Sequence, residues 1–322
     1  MAQTMKSKVL VTENIHAAGW ETLKRETEAV AWAGQDKQPL TEAVADVQAI
    51  LVRVAKLSAD VIRAGKKLKI IGKHGVGYDN IDIPAATASG VIVTNTPLAN
   101  STSVAEHALA LLLAVARRIG ESDRDLARGA MRTQKVYQGV ELSGKVMGII
   151  GLGSAGLRLA RMTGSGLGMR VLGFDPYKEP WPDGVEHCRE LDPLLTQADF
   201  ISIHVPLTKE TRNLIGKDAL AKMKPTAVLV NTARGGIVDE AAVADAVKAG
   251  RPAGAGLDVV VDEPLQPSHP LNGVPNIILT PHVAGVTEEA MMRMAQDAAE
   301  DILRVLKGER PKYPVNREVL KK

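Results

Sequence analysis

Short apolar runs rich in valine, isoleucine and leucine recur along the chain, and between them apolar positions return at helical spacing. The pattern predicts strands at 8–12, 49–54, 68–72 and 91–94, with helices at 17–25 and 59–65 among them. After a turn-rich crossing at 97–103 comes a long Ala/Leu helix, about 104–119. A second series predicts strands at 146–150, 170–174, 199–204, 227–231, 253–258 and about 276–279. Helices lie between them, including 239–249, closed by Gly250; a last helix at 288–306 ends before Gly308 and Pro311. Strands apolar on both faces that alternate with helices belong to parallel sheets in an α/β protein. The expected fold is two doubly wound parallel-sheet domains, a larger one at 104–286 inserted into a smaller one at 1–103 and 287–322. The polar stretch 121–142 has no clear period and is expected to be a surface arm.

A chain of 322 residues can bury cores for two such domains. Its 40 Lys and Arg against 37 Asp and Glu leave a net charge of +3, which indicates neither nucleic acid nor a membrane surface as partner. One cysteine, Cys188, allows no internal disulfide and fits a reducing compartment such as the cytoplasm. No metal-ligand spacing of Cys or His occurs, and the longest apolar run, 108–116, is too short for a membrane span.

The first chemical signal follows the strand at 146–150. Gly151-Leu-Gly153-Ser154-Ala155-Gly156 opens a helix, and a second strand ends on Asp175. This is the order of parts in a dinucleotide-binding βαβ unit. Gly151 serves the tight turn, Gly153 the close approach of a pyrophosphate, and Gly156 the packing of helix on sheet. The helix N-terminus faces the phosphates with its positive end. Asp175, about 20 residues on, can accept from ribose hydroxyls and repel a 2′-phosphate, which favours NAD over NADP.

Three later strands end in unusual loops. One places Arg234 before Gly235-Gly236, the next Asp258 and Glu263, the third His282 after Pro281. Ligands of open α/β sheets bind beyond the carboxyl ends of strands, so arginine, glutamate and histidine reach one edge together. The trio suits reduction of a 2-keto acid. Histidine can supply the proton, a carboxylate can orient it and favour its charged form, and arginine can hold the substrate carboxylate.

The chain resembles the D-isomer-specific 2-hydroxyacid dehydrogenase family over essentially its full length. The motifs are His74-Gly-Val-Gly-Tyr-Asp-Asn-Ile-Asp82, Asn95-Thr-Pro97 with Ser103-Val-Ala-Glu106, and the glycine motif 151–156. They continue as His204-Val205-Pro206-Leu-Thr208, Asn231-Thr232-Ala233-Arg234-Gly-Gly-Ile-Val-Asp239, Asp258 to Glu263-Pro264, and Thr280-Pro-His282 running on to Gly285. The resemblance implies a Rossmann NAD-binding domain inserted into a flavodoxin-like substrate domain, with a cleft that closes on the substrate. Arg234 would bind the substrate carboxylate and carbonyl, His282 would be the acid/base and Glu263 its partner. Backbone amides near Val76 and Gly77 would also hold the carboxylate. Asp258 would contact the nicotinamide carboxamide, and His204, Val205, Pro206, Thr232, Ala233 and Gly285 would border the cofactor. The implied assembly is a homodimer through the nucleotide domain, with the arm packed on the partner.

Departures are few. Val260 and Tyr137 stand where many members carry an aromatic and a tryptophan, affecting packing and the arm. The chain stops at Lys322, so a short form without a regulatory domain is expected. Glu263 argues against formate dehydrogenases of this family, which usually carry glutamine there. A non-catalytic NAD sensor or corepressor of the same fold is the alternative. His107 reads as structural, in a buried helix. The substrate remains open among glyoxylate, hydroxypyruvate and 3-phosphohydroxypyruvate. Arg53 and Lys73, at the ends of two strands of the smaller domain, are candidates for a second anionic group on it.

Overall fold

The computed structural model describes residues 6–32, 38–130 and 132–321. Contacts divide the chain into two units, Met1–Asn100 with Val286–Lys322, and Ser101–Gly285.

The first unit runs β1 (Lys8–Val11), α1 (Ala17–Glu26), β2 (Glu28–Ala31), α2 (Leu40–Ala43), β3 (Ala49–Val52), α3 (Ala59–Ala64), β4 (Ile70–Lys73), α4 (Ile83–Ala88) and β5 (Ile92–Thr94). Its sheet is all parallel in the order β2-β1-β3-β4-β5, a flavodoxin-like arrangement. Both faces are covered, which is why β3 and β4 are buried throughout. On one face Leu23 of α1 packs with Ala298 and Ile302, which come from the last helix; on the other lie Val61, Ile62 and Ala86.

The second unit opens with α5 (Ser101–Ala116) and α6 (Ile119–Ala127) and continues β6 (Val146–Ile150), α7 (Ser154–Arg161), β7 (Arg170–Phe174), β8 (Glu186–His187), α8 (Leu191–Gln197), β9 (Phe200–Ile203), α9 (Lys217–Lys222), β10 (Val228–Asn231), α10 (Glu240–Lys248), β11 (Gly254–Leu257) and β12 (Ile277–Leu279). The parallel order β12-β11-β10-β9-β6-β7-β8 is that of a Rossmann sheet with one extra strand, and it reverses between β6 and β9. Leu111, Leu112 and Val115 of α5 and Leu159 of α7 cover one face; Leu194, Leu220 and Val243 cover the other. The chain then returns to the first unit as α11 (Glu288–Leu306), capped by Thr287, whose side chain accepts the Ala290 amide.

Several elements depart from expectation. β2 is an added edge strand, and α2 and α4 add short helices. The arm is more ordered than its sequence suggests: α6 occupies its start and a 3₁₀ turn covers Gln134–Tyr137. Asp125 braces the two, bonded by Arg132 and by the Tyr137 hydroxyl at 2.9 Å. No described helix is long and apolar enough to cross a membrane.

The glycine loop shows how closely packing is set here. A Cβ on Gly156 would overlap the carbonyl oxygen of Gly151, whereas one on Gly153 would meet nothing within 4 Å. Gly156→Ala is therefore expected to destabilise the second unit by about 1–3 kcal/mol, which is a fall in Tm of about 2–10 °C. Gly153→Ala, at φ −72°, should leave Tm within about 2 °C. Differential scanning calorimetry of both variants decides the matter, and equal shifts would refute it.

Candidate active site

The site of the second unit is built by strand register. Asn231 of β10 pairs with Leu257 of β11, and Leu257 with Leu279 of β12, so these three strands end level. The residues that follow each strand leave the sheet at one edge.

After β10, the Asn231 side chain braces the turn. Its Oδ1 accepts the Ala233 amide at 3.0 Å and its Nδ2 donates to the Arg234 carbonyl at 2.8 Å. Arg234 is half-buried and donates from Nη1 to the Ala233 carbonyl at 2.6 Å. After β11, the loop brings Glu263 back to meet the turn after β12. Glu263 Oε2 lies 2.8 Å from Nδ1 of His282, with the side chains 38% and 48% exposed. A proton on Nδ1 bound to this carboxylate leaves Nε2 for exchange with a substrate. The pair lines a cavity of about 460 Å³ with Val260, Leu265, Leu279 and Pro281.

His282 sits at φ 54°, in the left-handed region that a side chain normally avoids. Asp258 holds it there. The Asp258 carbonyl accepts the His282 amide at 2.8 Å. Its carboxylate accepts the amides of Val283 and Ala284 at 2.9 and 2.8 Å and the Thr280 hydroxyl at 2.6 Å. Burial works against its charge, but His107, Thr280 and the two amides outweigh it and hold the carboxyl below the ordinary carboxylate range. The ionised form thus stabilises the fold above that range, and the contribution is lost as pH falls through the lowered value. The Asp258 side chain has no exposed surface. The partners of its carboxylate are internal: Thr280, Val283, Ala284 and His107.

His107, expected to be structural in a buried helix, joins this network. Its Nε2 lies 3.0 Å from the Thr280 hydroxyl and 3.4 Å from Asp258, with the side chain 23% exposed. Its place after Glu106 gave no sign of this, because Asp258 and Thr280 are distant in sequence.

At the switch point, Gly151 has φ 93°, and a Cβ there would press on the His204 carbonyl and on Val205. Asp175 lies beside the loop, accepting the Leu152 amide at 2.8 Å and the Tyr177 amide at 3.0 Å. His204 is half-buried against Ser202, its Nε2 2.9 Å from that hydroxyl, and burial pushes its pKa down to about 4. It is neutral at pH 7. Pro206 is exposed; Ser154, Ala155 and Gly285 are half-buried. The Thr232 hydroxyl is buried without a partner. The open space at Gly153, the acid beside the loop and this orphaned hydroxyl fit a dinucleotide. Among the described residues, no group of three or more His, Cys, Asp and Glu is placed to hold a metal.

In the first unit, Glu13 accepts the amides of Arg53, Val54 and Ala55 at 2.7, 3.0 and 2.5 Å. Lys73 is buried, and its ammonium bonds the Arg53 carbonyl, so it holds this turn rather than facing solvent. Next to it, burial first and Arg53 second push the pKa of His74 down to about 4. Val76 is exposed, and its carbonyl accepts from Asn95 at 2.7 Å. Gly77 is half-buried.

Comparison with known proteins agrees with this arrangement. A family model described as D-isomer specific 2-hydroxyacid dehydrogenase, NAD binding domain, matches residues 109–284. The D-3-phosphoglycerate dehydrogenase of Archaeoglobus fulgidus is 45% identical over 305 residues, which are 94% of this chain and 58% of that protein. This chain thus spans little more than half the length of such relatives. The glyoxylate reductase of Korarchaeum cryptofilum is 40% identical over 327 residues, 98% of each chain. The crystal structure of an NADPH-dependent glyoxylate/hydroxypyruvate reductase from Sinorhizobium meliloti, in complex with NADP and malonate, superposes with a TM-score of 0.85 at 30% identity, covering 96% of this chain and 97% of that one. With a Rossmann sheet, its glycine loop and these matches together, the chain belongs to the D-isomer-specific 2-hydroxyacid dehydrogenase family.

Proposed function

We propose that the protein is an NAD-dependent oxidoreductase that interconverts D-2-hydroxy acids and 2-keto acids. The Glu263–His282 pair, 2.8 Å apart at the strand edge that also carries Arg234, supports this reading most. The nicotinamide, when bound, gives or takes the hydride at the substrate's second carbon. His282 supplies the proton to the carbonyl oxygen from Nε2 in reduction and removes it in oxidation. Glu263 holds Nδ1 and with it the plane of the ring. Arg234 binds the substrate carboxylate by charge-assisted hydrogen bonds. The amides of Val76 and Gly77 are proposed to share that carboxylate. Gly151, Gly153, Ser154 and Ala155 would hold the pyrophosphate, with Gly156 letting the helix pack close behind them, Asp175 would hold the ribose, and Val205, Pro206, Thr232 and Ala233 the rest of the cofactor. The exposed Leu113, Ile119 and Leu126 support a homodimer through the second unit, and the cytoplasm suits a protein with one buried cysteine.

Asp175 is expected to make NADH the better cofactor by at least about tenfold in kcat/KM, equivalent to about 1.4 kcal/mol. Initial rates with each cofactor measure this, and equal or faster turnover with NADPH would overturn it.

His282→Asn should lower kcat for keto-acid reduction by about 10²–10⁴-fold while NADH still binds. In Glu263→Gln, kcat should fall by about tenfold or more while the Kd for NADH stays within about twofold, because an amide in place of the carboxylate no longer fixes the ring through Nδ1. An unchanged kcat in Glu263→Gln would sink the pair assignment.

The relatives named above differ in whether the substrate bears a phosphate. Arg53 and Lys73, whose ammonium also bonds the Arg53 carbonyl, are the proposed partners of a second anionic group. Arg53→Ala should lower kcat/KM for 3-phosphohydroxypyruvate by about tenfold or more and leave glyoxylate within about threefold. Equal losses on both substrates would remove the second-anion reading, and no turnover of any keto acid would remove the proposed activity.

A further inference from the structure

The contact between Glu263 and His282 depends on a loop, 259–271, that belongs to no strand or helix. Two features hold that loop from behind. Gly235, next to Arg234, lies so close that a Cβ would overlap the Val260 carbonyl and press on the Val261 nitrogen. The Glu263 loop and the Arg234 turn are thereby seated on each other. The second feature is Glu240, in the first turn of α10, with its side chain 10% exposed.

The Glu240 carboxylate reaches the loop on both sides of Glu263. Oε1 accepts the Val261 amide at 2.7 Å, and Oε2 meets His269 Nε2 at 2.9 Å. His269 is itself fixed. Its amide donates to the Gln266 carbonyl at 3.0 Å, and its Nδ1 accepts the Leu271 amide at 3.4 Å. With Nδ1 an acceptor, the ring proton sits on Nε2 and is donated to Glu240. The pinned limb also touches Glu263 directly, because the Val260 amide donates to Glu263 Oε1 at 3.3 Å.

We propose that Glu240 is a positioning residue. With His269 as its second arm, it sets the Glu263 carboxylate against Nδ1 of His282 and so governs proton transfer without touching substrate or cofactor. This rests on the reading of His282 as acid/base.

The test combines kinetics with nuclear magnetic resonance of ¹⁵N-histidine-labelled protein, the His282 signals being assigned by their loss in His282→Asn. Glu240→Ala should lower kcat for keto-acid reduction by about tenfold or more while the Kd for NADH stays within about twofold. In a Glu263→Gln background the same substitution should cost less than about twofold, because the carboxylate it positions is already gone. Equal losses in both backgrounds would mean general damage to the fold and overturn the proposal. In the ligand-free protein, Glu240→Ala should move the His282 ring signals in the direction that Glu263→Gln moves them; unmoved signals would overturn it whether or not any substrate turns over. Absence of wild-type turnover would instead defeat the acid/base reading, with the ring signals still deciding the positioning role. Should Glu240→Ala not fold, Glu240→Gln reads the same quantities. It keeps an acceptor for Val261 but faces His269 with a donor.

Discussion

The strand-end site turns on a negative charge that solvent does not reach. Asp258 sits at the end of β11 with its side chain fully covered, and the turn after β12 is folded around it. A buried carboxylate is costly unless its oxygens are satisfied. Here two successive amides, a hydroxyl and an imidazole do so, and that set of donors defines the path of 280–284. The left-handed backbone of His282 is tolerated because the same residue also binds its amide through a carbonyl. The ring that faces Glu263 is thus aimed from within the sheet edge, by a residue that has no surface of its own.

The other parts of the site are fitted to this anchor by register and close approach. Three parallel strands end level, so each loop needs only a short excursion to reach its neighbours. Asn231 shapes the Arg234 turn, Gly235 lets the next loop rest on it, and Glu240 ties that loop down. Arginine, glutamate and histidine come from separate loops, yet each loop backbone is in contact with, or bonded to, the next.

Most of the architecture was legible because both sheets are covered on two faces, so their strands read as continuous apolar runs. β2 was not, because Glu28–Ala31 lies at an edge, carries a charge and is nowhere fully buried. α6 was not, because none of its residues is buried, so no core-facing period marks it. The residues placed at the strand-end site followed from strand ends and motif order. What the sequence could not show was which side chains serve others. The bond from the Lys73 ammonium to the Arg53 carbonyl is one such case, joining two strand ends that the sequence leaves 20 residues apart. His107 and His269 gave no signal, since their partners Asp258, Thr280 and Glu240 are adjacent only in the folded chain.

The partial exposure of the histidine–glutamate pair also bears on how the proposed acid/base would be reset. With 48% of the His282 side chain and 38% of that of Glu263 open to water, the imidazole can recover or lose its proton directly to solvent or buffer. Under the proposed acid/base role, no internal chain of donors is needed to carry protons between the ring and the bulk.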